Sequence, residues 1–132
     1  MDLSIETQSN PKLLSPLTLA FLGDAVYELL VRRLVVEEAN MPVGQLHQKA
    51  VSLVNAAAQS DAFGRIEKML TEEELAIFKR GRNASASSTP KHADIAQYRR
   101  ATGVEALFGY LYLKEEQERI EELFRMIMET MR

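Results

Sequence analysis

The chain has 132 residues, 19 acidic residues against 16 Lys and Arg, a net charge of −3 and no cysteine. That length fits one domain, residues 1–132, which buries roughly two-thirds of its unfolded surface without covalent staples. The missing cysteines exclude disulfides and thiolate metal sites, and the mild acidity excludes a uniformly basic nucleic-acid binder but not a local basic patch.

The segment Met1 to Asn10 carries Asp2 and Glu6 and has neither a basic start nor an apolar core, so it does not read as a signal peptide. Ser15-Pro16 reads as a helix start, with Ser as cap and Pro at the first helical position. The helix then runs to about Glu38, and Asn40-Met41-Pro42 ends it. Leu13 to Val31 is long enough to be weighed as a membrane span, but it holds Asp24 and Glu28, and Pro16 and Gly23 weaken it further. A mid-membrane acid costs about 2.5–3.5 kcal/mol even on a lenient insertion scale. A cytoplasmic protein with no membrane partner is expected.

A second helix is predicted from about Val43 into Ala58, and a third from about Ser60 to Leu70. Thr71-Glu72-Glu73-Glu74 is a capping box opening a fourth helix to about Arg80. Gly81 to Pro90, rich in Gly, Ser, Ala and Asn, reads as a loop. Thr89-Pro90 reads as the approach to a helix that begins between Pro90 and Ile95 and runs to about Leu113. The last helix, Glu115 to Met131, carries Ile120, Leu123, Phe124, Ile127 and Met131 at helical spacing. No segment reads as a strand and no repeat is visible. The fold class is all-α.

Asp24 and Glu28 are the only charges between Leu13 and Val31, and Glu105 is the only charge between Ala101 and Leu113. An ionised carboxylate is costly to desolvate alone, and two such acids on separate apolar helices offset that cost by sharing a divalent cation. With no thiolate, and with His47 and His92 poorly spaced for zinc, oxygen-ligated magnesium or manganese is the metal this donor set suits. The residues alone leave other readings open: Asp24 satisfied by a helix N-terminus or an Arg, Glu105 in an internal ion pair. A basic run follows. From Lys79 to Arg100 there are six cations (Lys79, Arg80, Arg82, Lys91, Arg99, Arg100) and one acid, Asp94. Such a patch binds phosphates, or it is a solvated helix end that complements the dipole.

Phe21-Leu22-Gly23-Asp24-Ala25-Val26 resembles the core of the ribonuclease III motif, and Glu105-Ala106-Leu107-Phe108-Gly109 resembles the second acidic motif of that family. The short chain and the run Lys79-Arg80-Gly81-Arg82-Asn83 resemble more specifically the Mini-ribonuclease III branch, which lacks a double-stranded-RNA-binding domain. The resemblance covers roughly Pro16 to Leu113. It implies a helical endonuclease domain that cleaves double-stranded RNA with Mg2+ as a homodimer, leaving a 5′-phosphate and a 3′-hydroxyl. The implied substrate is precursor ribosomal RNA of the large subunit in a bacterium. Asp24 and Glu105 fall on catalytic, metal-binding acids. Ala20 and Thr102 fall where the family usually carries Glu and Asp, so two of four carboxylates are missing. Phe21 matches an aromatic that enters a pocket of the partner subunit, although an ordinary core Phe fits the sequence as well. Lys79, Arg80 and Arg82 would contact RNA phosphates. A ribonuclease III fold that binds structured RNA without cutting it is the main rival, and a helical protein-interaction dimer is a third reading.

Overall fold

The computed structural model describes residues 10–84 and 94–131, with backbone alone at 130 and 131. The expected loop beyond Ala84, with Thr89, Pro90, Lys91 and His92, lies outside the described residues, as does most of the N-terminal segment. A 3-10 turn at Pro11–Leu13 precedes six helices: α1 Pro16–Glu38, α2 Val43–Val54, α3 Ala56–Ile66, α4 Glu72–Asn83, α5 Ile95–Leu113 and α6 Gln117–Met131. No strand occurs among the described residues, so the chain is all-α.

Each helix starts where local chemistry satisfies its free amides. Ser15 caps α1, Asn55 caps α3 and Asp94 caps α5, each side chain accepting from a backbone N–H two or three residues on. Thr71 and Glu74 form the expected capping box of α4. Three boundaries differ from the sequence reading. The second helix stops at Val54, because Asn55 leaves helical geometry to accept from Ala58 N–H and so opens α3 within what reads as one apolar run. The fourth helix continues through Gly81 to Asn83, because Gly81 is buried against α5. The last helix starts at Gln117, after Glu115 has adopted a left-handed φ of 59°.

Helix α5 is the centre. It packs on α1, α3, α4 and α6. Every residue from Ala101 to Leu111 is buried except Glu105, which is half-buried. A helix buried all round needs the near-continuous apolar composition that this segment has. Helix α1 turns Leu19, Gly23, Tyr27, Val31 and Val35, one per turn on one face, into the core. Tyr27 stands edge-on to Phe108 and Phe124, with ring centroids 5.2 and 5.7 Å away. Full burial of each such side chain contributes roughly 1.5–3 kcal/mol.

Two glycines set how closely α1 and α5 approach. A Cβ on Gly23 would lie 1.6 Å from the Glu105 carbonyl oxygen, and one on Gly109 would lie 2.0 Å from the Leu19 carbonyl oxygen. The helices therefore touch backbone to backbone at Gly23, next to Asp24 in sequence and against Glu105 in space.

Candidate active site

The glycine contact brings the two distant acids of the sequence together. Asp24 sits on an exposed turn of α1, and its carboxyl acts on that of Glu105 on α5. The expectation of two buried acids is thus only half met. Glu105 is partly buried, while Asp24 stands at the open rim, because its apolar sequence neighbours turn to other faces of α1. Neither acid forms an ion pair with a cation among the described residues. Glu28, one turn after Asp24, is instead paired with Arg32 at 3.0 Å on the surface.

Burial, then the charge and the carboxyl of Asp24, push the Glu105 carboxyl up to about 8; the Gln59 amide acts against them. Two carboxylates placed together repel when both are ionised, and a divalent cation relieves that repulsion, since it neutralises both acids and accepts oxygen ligands from both. The donors at this place are carboxylate oxygens with an amide behind them, a set that fits magnesium or manganese. Ala20 and Thr102, where the family usually has acids, are both buried, and Thr102 Oγ1 donates to the Tyr98 carbonyl at 3.0 Å. They add no charged ligand.

The pair lies on an open face. The groove between α1 and α6 is built from other residues, including Leu30, Arg33, Glu37, Phe124 and Arg125. An open acidic face suits a rod-shaped duplex, which is recognised by shape and backbone and cannot enter a closed pocket.

Gln59 of α3 was not apparent as a site residue from the sequence. It is 4% exposed, and its amide acts on Glu105 against the effect of burial. The available signal was its phase: Gln59, Ala62 and Ile66 form the buried stripe of α3, so a polar residue stands where a core residue belongs.

The three basic candidates separate. Lys79 is exposed at the end of α4. Arg82 donates to Asn83 Oδ1 at 3.1 Å and lies 6.0 Å from the Phe78 ring centre. With Arg99 and Arg100 it lines a depression of about 390 Å³ between the end of α4 and the start of α5. Arg80 faces elsewhere, with both terminal nitrogens donating to the Lys12 and Leu14 carbonyls at 2.9 Å. Phe21 is 83% exposed, and Leu17, Ala25 and Leu29 lie exposed at four-residue spacing along the same face of α1.

Comparison with known proteins agrees with this geometry. A family model for the ribonuclease III domain matches residues 17–116. The chain is 47% identical over 117 residues to a Mini-ribonuclease 3 from Thermoanaerobacter sp., covering 89% of this chain and 82% of that one. It is 39% identical over 119 residues to the Mini-ribonuclease 3 of Staphylococcus aureus, covering 89% of each. The crystal structure of protein FN1578 from Fusobacterium nucleatum superposes with a TM-score of 0.80 at 32% identity, covering 88% of this chain and 89% of the other. No helix among the described residues is long and apolar enough to cross a membrane. The chain belongs to the ribonuclease III family, among its Mini-ribonuclease III members, and is an endoribonuclease.

Proposed function

We propose that this chain, acting as a single catalytic domain over residues 1–132, is a magnesium-dependent endoribonuclease of the bacterial cytoplasm. Its substrate would be double-stranded precursor RNA of the large ribosomal subunit (23S), as the resemblance implies. The observation that carries the reading is the Asp24–Glu105 contact: two carboxylates from different helices, one beside the other, with no cation paired to either among the described residues. The family is in general dependent on divalent metal. Asp24 and Glu105 would hold Mg2+, and the bound ion supplies charge neutralisation at the phosphate and an activated water. The chain's own task is to fix both acids at an open face and keep them ionised once loaded. Hydrolysis adds water at phosphorus, breaks the bond to the 3′ oxygen and leaves a 5′-phosphate and a 3′-hydroxyl.

Lys79, Arg80 and Arg82 are proposed to meet RNA phosphates, with Arg99 and Arg100 beside Arg82. Such contacts position a duplex without taking part in the chemistry. Ribonuclease III domains are typically dimeric. The apolar stripe of Leu17, Phe21 and Leu29 supports a homodimer, because an aromatic left 83% exposed on a core helix is suited to a partner's pocket.

The test is cleavage of end-labelled duplex RNA by the wild type and Asp24→Asn, with and without magnesium. Cutting by the wild type only when magnesium is present, and none by Asp24→Asn, is the expected result. Tight duplex binding with no cutting at any magnesium level would favour the RNA-binding rival, which the absence of acids at Ala20 and Thr102 supports.

A further inference from the structure

Arg32, Arg33 and Arg119 each pair with a glutamate, and Arg80 donates to two backbone carbonyls. Arg82, Arg99 and Arg100 differ. None of them has an ion pair among the described residues, yet all three line one depression of about 390 Å³, together with Asn83, Ile95 and Ala96. Asp94, close by in sequence, is engaged in capping α5, where it accepts from the Gln97 N–H at 3.1 Å. Guanidinium groups gathered in one place repel one another, so stability alone favours spreading them or giving each an acid. An anion in the depression removes that repulsion.

Two of the three arginines are already held. Ser60 of α3 is a buried residue, and its Oγ accepts from Arg100 Nε at 2.6 Å. Arg82 Nε donates to Asn83 Oδ1 at 3.1 Å, and its guanidinium carbon lies 6.0 Å from the ring centre of Phe78, which is itself stacked on Phe63. A guanidinium held by Nε keeps its terminal N–H groups, the fork that matches two oxygens of a phosphate. Holding it beforehand also removes part of the ordering cost that binding otherwise carries. Arg100 and Glu105 stand five residues apart on α5. That spacing is about 7.5 Å of rise and about 140° of turn, so the two side chains leave one rigid helix on different sides. An anion held by Arg100 is therefore not the phosphate that is cut.

We propose that this depression is a preformed cradle for a backbone phosphate of duplex RNA, in which Ser60 is a positioning residue that fixes the Arg100 guanidinium. Arg82 and Arg99 supply the remaining charge. The cradle sets where the duplex lies relative to α5. This rests on reading the chain as a duplex endoribonuclease, and it adds which cations act together and what orients them.

The test is fluorescence anisotropy of labelled duplex RNA without divalent metal, so that binding is seen without cutting, over a series of sodium chloride concentrations. Wild type stands beside Arg100→Gln, Ser60→Ala, the double variant and Arg99→Gln, and each is melted. Arg100→Gln should bind about 2- to 5-fold more weakly, as for one solvent-screened charge pair, and its log–log salt slope should fall by somewhat under about one unit. Ser60→Ala should weaken binding at an unchanged slope, because the charge is kept and only its orientation is lost. It should add nothing in the Arg100→Gln background. Sodium pyrophosphate should displace duplex from the wild type better than sodium chloride of equal ionic strength, and lose that advantage in Arg100→Gln. Wild-type affinity and slope in a folded Arg100→Gln reduce the Ser60 contact to a tie between α3 and α5 and overturn the cradle, while duplex binding by the wild type leaves the functional reading standing. Unchanged binding in Ser60→Ala overturns its positioning role. Pyrophosphate that binds by calorimetry without displacing duplex assigns the depression to a free anion and overturns the RNA assignment. A wild type that binds no duplex overturns the functional reading itself. Should Arg100→Gln fail to fold, Arg99→Gln, exposed on the same depression, decides by the same criterion.

Discussion

Two glutamates on neighbouring helices have opposite fates. Glu74 of α4 is 4% exposed, yet its carboxyl lies below the ordinary carboxylate value. Burial raises it, but Arg119 outweighs that, donating from Nε and a terminal nitrogen at 2.8 Å to the two carboxylate oxygens, and the Thr71 backbone N–H adds a bond at 2.9 Å. The Glu105 carboxyl of α5 lies up at about 8, through burial first and then the charge of Asp24. Burial raises both carboxyls. The partner set decides the outcome: Glu74 has a cation of its own, and Glu105 has none among the described residues. A carboxylate left without a counter-charge beside a second acid is an arrangement that stability alone does not favour, and it marks the place where an added cation belongs.

The sharpest test of that contrast exchanges the two losses. Asp24→Asn and Glu105→Gln should each lower the single-turnover cleavage rate by about 10³-fold or more, several kcal/mol of lost transition-state stabilisation, with urea stability preserved. Glu74→Gln should do the reverse. It leaves the half-buried Arg119 with Glu122 as its remaining acid among the described residues and should cost about 2 kcal/mol of stability, as for the loss of hydrogen bonds to a charged group, while the rate per folded molecule stays near wild type. Equal losses of rate in Glu74→Gln and Asp24→Asn would remove the distinction.

One turn of α1 provides a second, slightly smaller pair of effects. Gly23→Ala forces a Cβ onto the Glu105 carbonyl oxygen, so α1 and α5 must separate. The expected cost is up to about 3 kcal/mol, with cleavage lost further because Asp24 moves away from Glu105. Phe21→Ala, two residues earlier and facing outward, should leave monomer stability nearly intact and weaken self-association by about 2 kcal/mol, read by sedimentation. An unchanged dimer would mean that the exposed stripe serves another purpose.

The contrast between the two faces of α1 also shows what could be read in advance. The helix starts at Ser15 and Thr71, the all-α class and the candidate acids were visible, because capping chemistry and isolated charges are local signals. The break at Asn55 was not, since Val54 and Ala56 continue the same apolar run and only the side-chain bond to Ala58 ends it. Nor was the exposure of Asp24: sequence neighbours on a helix point in different directions, so apolar flanks say little about one side chain. Gln59 was missed because the polar run Gln59, Ser60 and Asp61 reads as surface until its phase is counted. Arg80 could not be separated from Lys79 and Arg82 by sequence, because its carbonyl partners lie more than 60 residues away.

Protonation should divide the two glutamates again. The folded value of Glu105 is raised, so below about pH 4.5 it is protonated whether the chain is folded or not. The stability it contributes is present there and is lost as pH rises through about 8. Glu74 is lowered, so its contribution is present above about pH 4.5 and is lost as pH falls. Metal-free wild type should therefore melt at lower temperature at pH 8.5 than at pH 6.5, and Glu105→Gln should flatten that trend. Manganese affinity should rise over the same interval, because the ion displaces the proton. A trend unchanged in Glu105→Gln would assign it to another group.

The smallest effects concern the basic cluster, where the same reasoning separates cations with partners from cations without. Arg80 is bound to two backbone carbonyls and holds the Pro11–Leu13 turn onto α4. Lys79 is exposed and Arg82 borders the depression shared with Arg99 and Arg100. Lys79→Ala and Arg82→Ala should each weaken duplex RNA binding modestly and flatten its logarithmic salt dependence by somewhat under about one unit, as expected for one lost phosphate contact. The single-turnover rate at saturating RNA should change far less than in Asp24→Asn. Arg80→Ala should instead show mainly as a loss of thermal stability, with a smaller change in salt slope, because its hydrogen bonds are already directed into the protein. If Arg80→Ala altered the salt slope as much as Lys79→Ala and left melting unchanged, the carbonyl contacts would be incidental and all three cations would face the RNA alike.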